Sequence, residues 1–151
     1  MKLCLRTIHQ EKLGGDLDSC AAHVLSRLLQ VPTTKVKELI EARRKRLHWR
    51  GILKQYEHYQ AESWCVDWRE IVGLLREIQP NVRSRVCKKK TSLIRFGMRT
   101  FRHDKTYVVM IDEHVLILRG GRVYDNITHA GNLAYYDWWR YPVLNYAVLN
   151  N

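Results

Sequence analysis

Several common sequence features are missing from this chain of 151 residues. No run of apolar residues approaches the roughly 20 that a transmembrane helix needs. None of its four cysteines forms a CxxC pair, and Cys20 with His23 lacks the second half of a zinc site. We therefore expect no metal and no other cofactor. Repeats, low-complexity segments and linkers rich in Gly, Pro or Ser are also lacking, which favours a single domain over residues 1–151.

The N-terminal sequence MKLCLRTIHQEKLGG has neither the long apolar core nor the small-residue cleavage site of a signal peptide. A chain of this length also has no need of disulfide bonds for its stability. We therefore expect a cytoplasmic protein that binds no membrane, in which Cys4, Cys65 and Cys87 are structural thiols.

Acidic residues are scarce relative to basic ones, and the formal net charge is +11. The excess is concentrated in residues 41–51, 82–90 and 95–105. Such segments, interleaved with aromatic residues, favour binding to nucleic acid or to an acidic partner. The alternative is a solvated surface that keeps the domain soluble. The candidate binding residues here are Arg43, Arg44, Arg46 and Trp49.

Aromatic residues are concentrated in NLAYYDWWRYP, residues 132–142. A cluster of this kind usually closes the edge of a core, because large aromatics dominate core burial. The functional alternative is a recognition surface, since Trp, Tyr and Arg are enriched in interface hot spots. Trp138, Trp139 and Arg140 are the candidates for that role.

The first half of the chain has helical periodicity and the second half has strand character. Apolar residues at 21, 24, 25, 28 and 29 trace one helix face, with Asp18 or Ser19 as N-cap. The other predicted helices run from Val36 into the basic segment, over 64–79, and over 91–101 with Thr91 or Ser92 as cap. The predicted strands are 106–111, 114–118, 122–127 and 142–149. The fold class is therefore α+β, with a helical part over about 16–101 and a sheet part over about 105–149.

Gly120 and Gly121 stand between two strand-like runs, which predicts a tight hairpin. In that register His114 and Asp125 lie on the same sheet face as diagonal neighbours, close enough for their side chains to meet. A register slip of one residue would exchange Asp125 for Asn126, because alternate residues point to opposite faces.

Cys20 stands where the first helix begins, and a helix N-terminus stabilises a thiolate. If Cys20 reaches the imidazole of His114, the three residues form a Cys–His–Asp nucleophilic site without metal. The oxyanion would be bound by the Cys20 backbone N–H, with Gln10 as the candidate second donor. His23, one turn from Cys20, is an alternative base, and a plain buried thiol is the structural alternative.

The segments DSCAAHVLSRLL and YVVMIDEHVLILRGGRVYDN resemble the papain-like cysteine peptidase superfamily. The likeness is greatest to small phage-encoded members with a D-x-C helix start, and residues 16–40 and 91–127 carry it. The resemblance implies a helix headed by the nucleophile Cys20, packed on an antiparallel sheet that holds the base His114 and the orienting Asp125. It also implies a protein or peptide substrate and, for a phage protein, the host cytoplasm.

Three functions follow as hypotheses. The first is a cysteine hydrolase that cleaves a peptide, amide or isopeptide bond. The second is a catalytically inactive domain of the same fold that binds a host protein or nucleic acid through its basic and aromatic surface. The third is a nucleic-acid-binding module, although the chain has no helix-turn-helix, zinc-finger or RNP signature.

Overall fold

The helical pattern of the first half gives α1 (Cys20–Leu29), α2 (Thr33–Trp49), α3 (Trp68–Ile78) and α4 (Leu93–Arg99). The structure is a computed structural model that describes residues 1–5, 20–52, 66–112, 114–125 and 131–150. The predicted apolar face of α1 is buried. Helix α3 begins at Trp68 because the Asp67 side chain accepts a hydrogen bond from the Glu70 backbone N–H at 2.9 Å. Ser92 caps α4, whereas the predicted caps of α1, Asp18 and Ser19, lie outside the described residues.

Six strands form one antiparallel sheet in the described part of the chain, in the order β1-β6-β2-β3-β4-β5. The strands are β1 (Arg83–Val86), β2 (Thr106–Ile111), β3 (His114–Arg119), β4 (Arg122–Tyr124), β5 (Gly131–Asn132) and β6 (Val143–Leu149). The predicted α+β class is therefore confirmed. The separation into helices first and strands second is wrong at one point, because β1 lies between α3 and α4.

The two faces of the sheet are covered by different elements. Helices α1, α2 and α3 pack on one face, against residues such as Val115 and Ile117 of β3. Helix α4 and the segment from Leu133 to Tyr136 pack on the other face, against Leu116 and Leu118. Strand β3 thus contributes to both cores, as alternation of side chains along a buried strand requires. No helix among the described residues is long and apolar enough to cross a membrane.

The β3–β4 hairpin has the predicted register. Arg119 pairs with Arg122 and Leu118 with Val123, so Gly120 and Gly121 are the two loop residues. Both glycines have positive φ, at 57° and 73°. A residue with a Cβ atom is strained in that backbone region, which is why this turn needs two glycines.

Substitution of the buried Leu116 tests how much core packing contributes to the free energy of unfolding. Leu116 is fully buried at the centre of β3, whereas Leu144 of β6 is 37% exposed. We expect Leu116→Ala to lower the free energy of unfolding by about 2–5 kcal/mol, because it removes buried methyl groups and leaves a cavity. The matched change Leu144→Ala should cost less than about 1 kcal/mol, as an exposed residue has little surface to lose. Urea unfolding of both variants measures the difference, and equal losses would contradict this view of the core.

Candidate active site

The hairpin brings His114 and Asp125 to one end of the sheet. His114 is the first residue of β3, and Asp125 directly follows the last residue of β4. Because the two strands are antiparallel, the start of one lies beside the end of the other. The His114 Nε2 atom is 3.0 Å from Oδ2 of Asp125. The predicted pairing of this histidine with this carboxylate is therefore present in the structure, and Asn126 lies outside the described residues.

The carboxylate of Asp125 is buried, with only 3% of the residue exposed. Its Oδ2 atom also accepts a hydrogen bond of 2.6 Å from the hydroxyl of Tyr136. Tyr136 follows a short 3-10 helix, Leu133–Tyr135, that packs on this face of the sheet. Burial raises the pKa of Tyr136 strongly, and the bond to Asp125 raises it further, so the phenol stays protonated and donates.

The thiol of Cys20 lies against the imidazole of His114. Cys20 is the first residue of α1, and its sulfur has hydrogen-bond contacts with the His114 side chain and with the backbone of Val115 and Ala21. Burial alone raises the pKa of this thiol. The contacts with His114 and the two backbone groups outweigh burial, and the net effect lowers the pKa from its ordinary value of 9.0.

The protonation of His114 follows from the same contacts. Burial alone lowers the pKa of this imidazole, whereas the hydrogen bond to Asp125 and the contact with Cys20 raise it, to about 9. Nε2 is occupied by Asp125, which leaves Nδ1 for the sulfur. A thiol with a lowered pKa beside an imidazole with a pKa of about 9 favours a thiolate–imidazolium pair over two neutral groups.

An aromatic side chain covers the histidine on its outer side. The ring centroid of Trp138 is 4.7 Å from that of His114, with an angle of 84° between the planes. Trp138 is half-buried and joins the core on the α4 face of the sheet. The contacts of Trp138 fit the predicted closure of a core edge, whereas the recognition surface stays a prediction. Trp139 is also half-buried and lies under the Arg140 guanidinium, 4.7 Å from the ring centroid.

His23, the alternative base, lies behind the site. Its Nε2 atom accepts a hydrogen bond of 2.9 Å from Nε of Arg27, and the ring contacts the backbone of Asp125. Burial and the neighbouring Arg27 lower its pKa to about 4. His23 is therefore neutral near physiological pH, and its contacts with Arg27 and with the Asp125 backbone connect α1 to the end of β4.

The other candidate residues are placed as follows. Gln10, the predicted oxyanion donor, and Cys65 lie outside the described residues. Cys4 and Cys87 are half-buried free thiols. The part of the chain that the structure describes has no group of three or more His, Cys, Asp or Glu residues arranged to hold a metal ion.

The basic residues of α2 are largely engaged with α3. Arg44 forms a two-point ion pair with Glu70, with N–O distances of 2.7 and 2.8 Å. Arg43 and Arg46 both contact the carboxylate of Glu77, at 3.0 and 2.8 Å. Trp49 is 87% exposed at the end of α2. Binding by these residues stays a prediction, with Arg43 and Arg44 also serving to hold the two helices together.

The sequence alone did not single out Tyr136. Two tyrosines stand side by side in LAYYDWW, and nothing in their spacing shows which of them meets Asp125. Tyr135 is 87% exposed and Tyr136 only 4%. The one signal that the sequence offered was chemical. A buried Asp125 carboxylate needs a second hydrogen-bond donor, but this need does not identify the residue that provides it.

Comparison with known proteins adds no relative to these observations: no protein-family model, no curated protein and no solved structure matches the chain.

The adjacent tyrosines provide a matched test of the support given to Asp125. We expect Tyr136→Phe to lower the free energy of unfolding by about 2 kcal/mol, because a buried carboxylate loses a donor. Tyr135→Phe removes the same hydroxyl at an exposed position and should change stability by less than about 0.5 kcal/mol. Urea unfolding of both variants provides the comparison. Indistinguishable stabilities would show that the Tyr136 hydroxyl does not stabilise Asp125.

The protonation of His114 can be followed directly by NMR titration of the histidine ring signals. The wild-type signal should titrate at about 9. Asp125→Asn should lower this pKa because it removes the carboxylate whose hydrogen bond raises it most, and Cys20→Ser should lower it because it removes the thiol contact. In Cys20→Ser the pKa of His23 should stay at about 4, since Cys20 does not act on it. A wild-type His114 that titrates at 6.5 would contradict the ion pair.

Proposed function

We propose that the chain is a cysteine hydrolase with a papain-like arrangement, which cleaves a peptide, amide or isopeptide bond through a covalent thioester. The observation that carries the proposal is the contact series Cys20–His114–Asp125, in which a thiol with a lowered pKa meets an imidazole held by a buried carboxylate. The helix headed by the cysteine packs against a sheet that holds the other two residues, as the resemblance implies.

In the first step the Cys20 thiolate attacks the carbonyl carbon of the substrate. The sulfur–carbon bond forms, the carbonyl π-electron pair moves to oxygen, and a tetrahedral oxyanion results. The backbone N–H of Cys20, at the first position of α1, is suited to bind this oxyanion. His114 then gives its proton to the leaving nitrogen, the carbon–nitrogen bond breaks, and an amine departs.

In the second step water cleaves the thioester. His114, now neutral, removes a proton from the water as its oxygen attacks the acyl carbon. The carbon–sulfur bond breaks, a carboxylic acid leaves, and the thiolate–imidazolium pair is restored. The overall reaction consumes one water and converts one amide into an acid and an amine, with no redox change.

Asp125 and Tyr136 are positioning residues in this scheme. Asp125 holds Nε2 of His114, so that the other nitrogen faces the sulfur, and it stabilises the imidazolium. Tyr136 holds Asp125. Trp138 covers the imidazole edge and reduces its exposure to water, which strengthens the electrostatic contacts of the pair.

Iodoacetamide labelling of the native protein tests the thiolate. Near neutral pH we expect Cys20 to react at least about tenfold faster than Cys87, because one unit of pKa changes the thiolate fraction about tenfold. Cys87 is the internal control, since burial raises the pKa of its thiol. The rate at Cys20 should stay high well below pH 9.0, and His114→Ala should abolish this advantage.

Mass spectrometry of each labelled cysteine distinguishes the outcomes. Equal rates at Cys20 and Cys87 would exclude a thiolate in the resting protein and favour the inactive binding domain. If Cys20 is activated, hydrolysis of a peptide library by wild type and by Cys20→Ala tests the reaction itself. Turnover should then decline on the alkaline side at about 9, where His114 loses its proton. Activity that survives in Cys20→Ala would overturn the proposed nucleophile.

A further inference from the structure

The two most basic parts of the chain differ in how many of their cations form ion pairs with carboxylates. In α2 the arginines at 43, 44 and 46 contact the carboxylates of Glu70 and Glu77. The second segment differs, because the sequence has no Asp or Glu from residue 78 to residue 103. Arg102 pairs with Asp104 at 3.1 Å. The cations from Arg83 to Arg99 have no acidic neighbour in the chain, and they produce a local positive potential.

A group of exposed cations borders the turn at residues 138–141, with members in the segment before α4, in α4 and in the turn itself. We call it the basic track, and its members are Lys88–Lys90, Arg95, Arg99 and Arg140. Lys88–Lys90 follow β1, and Arg95 and Arg99 are one turn apart on the outer side of α4. All six side chains are exposed. Within the described residues none of them forms an ion pair.

The basic track reaches the same end of the sheet as the candidate active site. Val86 of β1 pairs with Asn145 of β6, Asn145 pairs with Met110 of β2, and Met110 pairs with Val115 of β3. This row crosses three strand spacings, or about 14 Å. One row further towards the end of the sheet that carries the candidate site, β3 contributes His114. Lys88 lies two residues after Val86, towards that same end of the sheet.

The turn at residues 138–141 joins the two places. At one end Trp138 contacts the His114 ring. At the other end the Trp139 carbonyl accepts a hydrogen bond from the Ile94 N–H, and the Tyr141 carbonyl accepts one from the Leu93 N–H, both at the start of α4. The turn therefore connects the imidazole to the start of α4, the helix that carries Arg95 and Arg99.

We infer that the basic track binds an acidic stretch of the polypeptide substrate, on one side of the bond that Cys20 attacks. The inference rests on the proposed hydrolase function and names its substrate class. Asp112 stands two residues before His114, and Asp137 directly precedes Trp138, which contacts the His114 ring. The basic track is therefore separated from the reacting centre by acidic residues. A substrate in which the cleaved bond lies some residues away from a cluster of Asp or Glu matches that distribution of charge.

The exposed apolar side chains favour a polypeptide over a nucleic acid. Val86 is 69% exposed, Met98 is 79% exposed and Tyr141 is 44% exposed, and each stands beside a member of the basic track. Apolar side chains among cations match a peptide that carries both acidic and apolar residues, whereas a sugar–phosphate backbone gives them nothing to pack against. The half-buried Trp139 is covered by Arg140, which removes one face from base stacking.

Affinity labels with acidic and neutral peptides test the inference. A glutamate-rich peptide and its glutamine counterpart are each made in two forms, one with a C-terminal chloromethyl ketone and one with an N-terminal chloroacetyl group. The Cys20 sulfur displaces chloride from either, so the two forms place the peptide on opposite sides of the sulfur. We expect the glutamate peptide to label Cys20 about tenfold faster than the glutamine peptide in one of the two forms, with a smaller advantage at high salt.

Two charge-matched variants identify the surface. The triple change Lys88→Gln, Lys89→Gln and Lys90→Gln should reduce the glutamate advantage to below about twofold, because it removes the part of the track that is richest in charge. The control removes the same charge elsewhere, through Lys45→Gln, Arg50→Gln and Arg69→Gln, and should leave the advantage unchanged. Iodoacetamide should label Cys20 at the same rate in all three proteins.

Each result has one meaning. Equal labelling by both peptides in both forms, or equal effects of the two triple variants, would overturn the basic track as a substrate site. If a single-stranded oligonucleotide blocks the labelling at lower concentration than the free glutamate peptide does, the track binds nucleic acid and the inference is wrong. If iodoacetamide labels Cys20 of the wild type no faster than Cys87, the proposed hydrolase function fails instead.

Discussion

The buried carboxylate of Asp125 is the constraint on which the site depends. A carboxylate without water is unfavourable unless donors compensate it. Here the compensation comes from separate elements, since β3 provides His114 and the segment after the 3-10 helix provides Tyr136. On the opposite side His23 of α1 contacts the Asp125 backbone. The contacts that compensate the Asp125 carboxylate therefore also fix the relative positions of the β3–β4 hairpin, helix α1 and the aromatic segment.

The Asp125 carboxylate acts on the sulfur through the imidazole. It raises the pKa of His114, and the contact with His114 lowers the pKa of Cys20. Burial of Cys20 and His114 opposes a charge on either residue, and in both cases the contacts between them overcome this effect. The pair is thus stable as two opposite charges, with each depending on the other. A change at Asp125 would act on the thiol without touching it, which is why the site behaves as a unit in the proposed chemistry.

The hairpin and the His114–Asp125 pair were predictable because two adjacent glycines define the turn, and the turn defines the register. Strand β1 was not predictable in the same way. Its sequence RSRV has charges where an interior strand has apolar residues, and that pattern suits the exposed edge that β1 occupies. The pairing of α2 arginines with α3 and the choice of Tyr136 over Tyr135 were also beyond the sequence. Both depend on tertiary contacts, across 26 residues for Arg44 with Glu70 and across 11 for Tyr136 with Asp125.

The separation of the site residues along the chain has a consequence for the nascent protein. Cys20 belongs to α1 and is synthesised before His114, Asp125 and Tyr136, which follow it by more than 90 residues. Until those segments dock, Cys20 has the ordinary thiol pKa of 9.0 and no imidazole beside it. Under the proposed function, folding is therefore the activation step, because an unfolded chain carries this thiol without the imidazole that lowers its pKa.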